Sequence, residues 1–208
     1  MSKCRMCGDE LGDLNELAST CQLCSHLAFL GLPYKYMKAT KSLYTNGLQK
    51  CFDRKQSFYI HGTVGTGKTW LMSALMREHV KSTMQEFGTV EKAICYTDNA
   101  LFVSFPWLIL EIKNSNDFKT ETNEMKLLDK YCNVRALFLD DIGTENMTKS
   151  ARSTLFMLIE RRNTMRGVTV ITSNLNLGQL AKQHDERVAS RIAEMCTIIK
   201  LSGVDRRI

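Results

Sequence analysis

Gly62-Thr63-Val64-Gly65-Thr66-Gly67-Lys68-Thr69 follows the apolar and aromatic run Ser57–His61 and leads into a stretch of helical character beginning at Lys68. These eight residues fit G-x-x-x-x-G-K-[ST] in full, after a strand and before a helix. Each residue type has a chemical reason to be there. Glycine lets the backbone turn its N–H groups inward as a nest for an anion. A helix starting directly after the loop aims its positive end into the same space. Lys68 is expected to reach the β- and γ-phosphates of a nucleotide, and the Thr69 hydroxyl to ligate magnesium. A chance match in a glycine-rich turn would arise in roughly one chain in a hundred of this length, and the strand–helix setting makes it rarer.

Outward from the loop, short apolar runs alternate with helical stretches, the pattern of a parallel sheet flanked by helices. Strands are expected at Ser57–His61, Ala93–Thr97, Ala136–Asp140, Val168–Thr172 and Thr197–Leu201, giving an α/β fold with a five-stranded parallel sheet. Helices are expected over Lys68–Thr83, Asn99–Lys113, Ser150–Arg166 and Leu177–Glu194. Val134–Asp140 reads as a strand buried on both faces, because its apolar residues run together rather than alternate. Asn114–Thr122 is the most polar stretch and reads as a loop.

Leu137-Phe138-Leu139-Asp140-Asp141 ends an apolar strand with two carboxylates. In doubly wound sheets ligands sit at the carboxyl ends of the strands, which puts this pair beside the phosphate loop. Asp140 is assigned to the magnesium shell, through water, and Asp141 to orienting or deprotonating an attacking water. Val168–Thr172 then delivers Ser173-Asn174 to the same edge. A neutral amide there can hydrogen-bond a γ-phosphate or the water without adding negative charge; Ser-Asn after a strand also suits a turn or a helix N-cap.

The N-terminal section has a different character. Cys4-Arg-Met-Cys7 and Cys21-Gln-Leu-Cys24 are two C-x-x-C knuckles separated by 13 residues. Such knuckles can set four thiolates around one zinc ion, closed and therefore structural. A 26-residue segment cannot bury an adequate core, so metal would supply the folding energy. Redox dithiols would need a βαβ setting that is lacking there, and His26 reads as a bystander. Cys51, Cys95, Cys132 and Cys196 read as packing residues. Residues 1–26 are thus expected to form a zinc-binding module, 27–56 a connector with the basic residues Lys35, Lys38 and Lys41, and 57–208 the nucleotide-binding domain. The formal charge of the 208-residue chain is +6; four thiolates and one zinc change it by −4 and +2, leaving +4. That balance suits nucleic acid but also solvated helix faces. With no long apolar run and no apolar leader, a cytoplasmic protein with no membrane partner is expected.

The ordered set of motifs resembles the AAA+ ATPases of the bacterial (or phage) DnaC- and DnaI-type helicase loaders and the related IstB-type transposition helpers, over about residues 30–208. It rests on Leu32-Pro33…Ala39-Thr40, Gly62–Thr69, Leu137–Gly143, Thr172-Ser173-Asn174-Leu175 and Glu186–Ile192. The resemblance implies a sensor role for Asn174 and an arginine-finger role for Arg191, with Arg187 one turn earlier assisting. It implies that Tyr96–Lys113 faces single-stranded DNA, where Phe102, Phe105 and Trp107 would either stack on bases or pack in the core. Asp141 stands where many AAA+ proteins carry Glu, which implies slow turnover. The seven residues after Leu201 leave no room for a full helical lid, as also in some loaders; Arg206 and Arg207 are candidates to substitute for it.

The implied activity is ATP hydrolysis with ATP, Mg2+ and Zn2+ bound. The chain would load a replicative DNA helicase onto single-stranded DNA as a homo-oligomer, the zinc module gripping the helicase. A transposition helper is the alternative. A small-molecule P-loop kinase fits less well with the Asp-Asp, Ser-Asn and Arg191 series, and a non-hydrolysing ATP-dependent adaptor remains a fourth reading.

Overall fold

Phe58, Tyr59 and Ile60 are each at most 2% exposed, as a strand covered on both faces requires. They form the centre of β1 (Ser57–His61). In the computed structural model, which describes residues 3–9, 20–39, 56–87, 100–116, 121–143 and 147–203, β1 belongs to a five-stranded parallel sheet. The other strands are β2 (Ala100–Ser104), β3 (Ala136–Ile142), β4 (Val168–Ser173) and β5 (Cys196–Lys200), in the order β2-β3-β4-β1-β5. β1 runs parallel to β4, with Phe58 opposite Val170, and to β5, with Phe58 opposite Thr197. The expected strand Ala93–Thr97, and Thr40, Lys41, Cys51, Cys95, Arg206 and Arg207, lie outside the described residues.

By its contacts the chain divides into two compact units, Met1–Phe52 with Trp70–Ala100 and Asp53–Thr69 with Leu101–Ile208. The second holds the sheet and the helices α3 (Phe105–Asn116), α4 (Glu121–Asn133), α5 (Lys149–Met165), α6 (Leu177–Gln183) and α7 (Glu186–Met195). Its core joins Leu137, Leu139 and Ile171 of the sheet to Leu108, Leu128, Leu158 and Ile192 of those helices, every one at most 2% exposed. The first unit holds both cysteine knuckles, α1 (Gln22–Phe29) and a 3-10 turn at Tyr34–Tyr36. Most of α2 (Lys68–Phe87) also belongs to it.

Three expectations are corrected. The stretch Asn99–Lys113 is a strand followed by a helix: β2 takes Ala100–Ser104 and α3 begins at Phe105. The polar stretch Asn114–Thr122 is helical at both ends, in α3 to Asn116 and in α4 from Glu121. Leu177–Glu194 is two helices rather than one, because Asp185 leaves the helical conformation and caps α7, its side chain accepting the Arg187 N–H. Cys132 and Cys196 are buried, as packing residues should be.

Arg162 is fully buried and, among the described residues, has no carboxylate partner. Its guanidinium donates instead to Thr169 Oγ1 (3.0 Å) and to the carbonyls of Cys132 (3.0 Å), Val134 and Val168. Burial pushes its pKa down to about 10, still charged at neutral pH, and its fork of donors satisfies carbonyls at the entry to β3 and β4. Gly167 makes room for it: a Cβ there would lie 2.7 Å from Nη2.

Candidate functional site

The phosphate loop bends where the glycines stand. Gly65 and Gly67 have φ of 80° and 89°, in the left-handed region that side chains disfavour. Gly62 is needed for another reason: a Cβ there would be 2.1 Å from the Leu201 carbonyl oxygen. That close approach comes from sheet pairing, since Leu201 N donates to His61 O at 2.7 Å and Gly62 N to Ser173 O at 3.3 Å. Lys68 is buried, and its ammonium donates to the carbonyls of Gly62 (2.9 Å) and Thr63 (2.8 Å). Thr66 Oγ1 donates to Thr63 O at 2.8 Å, so two side chains fasten the loop from within. Val64, at the loop's crest, is 57% exposed.

Thr69, on the first turn of α2, donates to both Asp140 oxygens, at 3.0 and 3.1 Å. Thr172 of β4 donates to Asp140 Oδ1 at 2.6 Å and accepts the Asp141 N–H at 2.9 Å. Thr172 had no role assigned from the sequence; only strand order reveals it, because β4 lies between β3 and β1. Burial raises the Asp140 pKa, partly offset by the two threonine hydroxyls, with the neighbouring Asp141 charge raising it further and Lys68 lowering it.

The acidic pair sits on an irregularity. The β3–β4 register shifts between Leu139 and Ile142, and Asp141 has φ 65°. Bulges next to sites re-aim side chains, and a non-glycine left-handed residue stores strain of about 1–3 kcal/mol. Beyond β4, Ser173 Oγ donates to Ile142 O (2.8 Å) and accepts Leu175 N–H (3.1 Å), bracing the strand end that presents the half-buried Asn174. The residue that caps α6 is Asn176, in a reciprocal capping box with Gln179. The capping role considered for Asn174 therefore belongs two residues further on.

Arg191 stands on α7, its side chain 42% exposed, with Nε 2.7 Å from Glu160 Oε2 and Nη1 3.0 Å from Glu194 Oε2. Arg187 pairs with Asp185 at 2.9 Å and lies over the Phe156 ring. Of the aromatics on β2 and α3, Phe102 and Phe105 are buried and Trp107 is 57% exposed. The three do not act as one stacking surface. Trp107 Nε1 donates to Glu111, which also accepts the Tyr131 hydroxyl at 2.7 Å.

The four N-terminal cysteines converge. Their Sγ atoms all lie within 4.8 Å of one another, and Cys7 and Cys21 are 3.7 Å apart. Tetrahedral zinc with Zn–S of 2.3 Å requires S···S separations of about 3.8 Å, so the donor set fits that ion. Burial alone would raise the Cys4 thiol, but the N–H groups of Cys21, Cys7 and Met6 outweigh it and hold it at about 6. His26 is not among the converging ligands; its ring stacks on Phe29. Arg77 of α2 was not foreseen here. Its side chain is 13% exposed, donates to Met37 O, pairs with Asp9 at 3.3 Å and comes within 4.0 Å of Cys24 Sγ.

A parallel sheet in this order, with the phosphate loop after β1, an Asp-Asp bulge on β3 and a polar end on the intervening β4, is the AAA+ P-loop fold. Residues 31–206 match the family described as IstB-like ATP binding protein, and the chain belongs to that family. The replicative helicase loader DnaC of Escherichia coli (strain K12) is 25% identical over 137 residues, 65% of this chain and 49% of that protein. DnaC of Buchnera aphidicola subsp. Baizongia pistaciae (strain Bp) is 27% identical over 136 residues, 65% and 50%. The chain thus spans about half the length of the curated relatives it matches. The crystal structure of DnaI superposes with a TM-score of 0.61 at 23% identity, covering 85% of this chain and 95% of that one. That of the DnaC helicase loader gives 0.59 at 24%, covering 81% and 99%. Among the described residues no helix is long and apolar enough to cross a membrane.

Proposed function

We propose that this chain is an ATPase that loads a replicative helicase onto single-stranded DNA. One observation carries most of the weight: Thr69 of the phosphate loop and Thr172 of β4 both donate to Asp140, joining the loop, the acidic strand end and the intervening strand in one network. In this reading the backbone of Gly62, Thr63, Val64, Gly65, Thr66 and Gly67, with Lys68, cradles the phosphates of ATP. Thr69 and Asp140 would hold Mg2+, and the charge that ion supplies when bound would offset that of the phosphates. Asp141 orients or deprotonates the attacking water, and the bulge beneath it suits a carboxylate with a role separate from Asp140. Asn174 is the polar sensor, and Arg191 completes the site of a neighbouring copy. Residues 1–26 form the zinc-binding module, with Zn2+ on Cys4, Cys7, Cys21 and Cys24; 27–56 connect it to the ATPase domain at 57–208.

The helicase partner is argued from similarity to the two DnaC proteins. The family description favours a second reading, an IstB-like transposition helper using the same ATPase on a transposase. Mixing the protein with its host's replicative helicase, ATP and a closed circular single strand separates them. The first reading predicts helicase recovered on the circle only when this protein is present. Unchanged helicase recovery, together with capture of a transposase, would support the second.

A further inference from the structure

Arg5 and Met6 are the two residues between the thiolates of the first knuckle. The cysteine side chains converge inward, so the knuckle displays the intervening pair on its outside; Arg5 is exposed and Met6 half-buried. Together with Thr20, Tyr34, Lys35 and Lys38 they line an open cleft of about 620 Å³. Lys35 and Lys38 are exposed, and Tyr34 is 72% exposed, on the 3-10 turn that Pro33 starts. Lys35 Nζ lies 4.8 Å above the Tyr36 ring, which orients the ammonium. Residues 3–39 carry four permanent cations, Lys3, Arg5, Lys35 and Lys38, and four carboxylates, Asp9, Glu10, Asp13 and Glu16; three of the cations line the cleft, and Asp9 is paired with Arg77. Among the described residues no ion pair neutralises the cleft's three cations.

We propose that this cleft is a second strand-binding site, in which Arg5, Lys35 and Lys38 take the phosphates of single-stranded nucleic acid and Tyr34 stacks on a base. Cations along a groove with an aromatic face among them are what a strand requires: charge for the backbone and a π-surface for any base. An acidic peptide would use the charges but has no need of the exposed ring. The inference rests on the reading of single-stranded DNA as a ligand and adds a place for it outside the ATPase domain.

The test uses the full chain and fluorescein-labelled oligo-dT, read by anisotropy from low to moderate salt, with and without ATP. Each phosphate neutralised on a single strand contributes about 0.7 to the slope of log affinity against log salt. Arg5→Ala/Lys35→Ala/Lys38→Ala should therefore lower the slope by about 2. Tyr34→Ala should weaken binding about 5- to 150-fold and leave the slope alone. Zinc content and thermal midpoint serve as folding controls, and exposed positions should not move them. If wild type binds and both variants match it in affinity and slope, the cleft is not a strand site, while strand binding by the ATPase domain stands. If wild type does not bind oligo-dT at all, both readings fall. Unchanged oligo-dT binding with lost binding of a poly-glutamate probe would overturn the proposal in favour of an acidic protein partner.

Discussion

Thr172 serves two neighbours with one hydroxyl, donating to Asp140 and accepting from the Asp141 backbone. Thr172→Val keeps the shape and removes both bonds. It should leave ATP binding within a few-fold and slow hydrolysis by about 10- to 100-fold, the usual cost of losing a support to a metal ligand; wild-type turnover would reduce Thr172 to a packing residue. Lys68→Ala should abolish binding of a fluorescent ATP analogue, whereas Asp141→Asn should bind it and release phosphate poorly. Equal loss of binding in both variants would refute the division of roles. Asp140 adds a pH dependence. Burial first, then the Asp141 charge, raises its folded pKa above the ordinary 3.8. Its contribution to stability is therefore full below that ordinary value and is lost as pH rises through the raised one. Magnesium needs the carboxylate ionised, so Mg·ATP affinity should fall as pH drops through the same window, with a proton released on binding. Calorimetry in two buffers of different ionisation enthalpy measures that proton; Asp140→Asn should abolish its release.

Arg77 shows how a helix can serve a site it was not recruited for in sequence. Four thiolates and one zinc carry a net −2, and the mostly buried guanidinium lies beside them, fixed by Met37 O and Asp9. Arg77→Ala should speed zinc loss to a chelator by about 10- to 100-fold, with Arg77→Lys only partly restoring retention because it lacks the fork. Unaltered release would leave Arg77 a packing contact. Elements were legible where pattern and boundary agreed. The phosphate loop, its strand and the apolar run into Asp140 are unambiguous, because glycines and carboxylates end them sharply. Asn99–Lys113 reads as one helix because a buried strand running straight into an apolar helix leaves no break for periodicity to find. The start of α4 was hidden by its polar first turn; its buried Leu128, Tyr131 and Cys132, spaced three and four apart, were the available signal. Thr172 and Arg77 could not be assigned from sequence at all, since their partners are 32 and 53 residues away.

At the scale of the whole molecule, the proposed ATP site is finished by a second copy. Arg191 is held by Glu160 and Glu194 in half-exposed ion pairs, which solvent screens and which therefore bind it weakly. A phosphate on a neighbouring copy can compete for it. In that neighbour the guanidinium would stabilise charge developing on the γ-phosphate. Arg191→Ala should then bind ATP almost normally and hydrolyse it slowly, while Lys68→Ala is inactive because its own cradle fails. Mixing the two inactive proteins on single-stranded DNA, with mixed oligomers verified by native mass spectrometry, is the most direct measurement. The account predicts partial recovery of phosphate release, from interfaces that pair an intact Lys68 with an intact Arg191. No recovery from verified mixed oligomers would show that Arg191 is a surface ion-pair residue, and the composite ATP site would be contradicted.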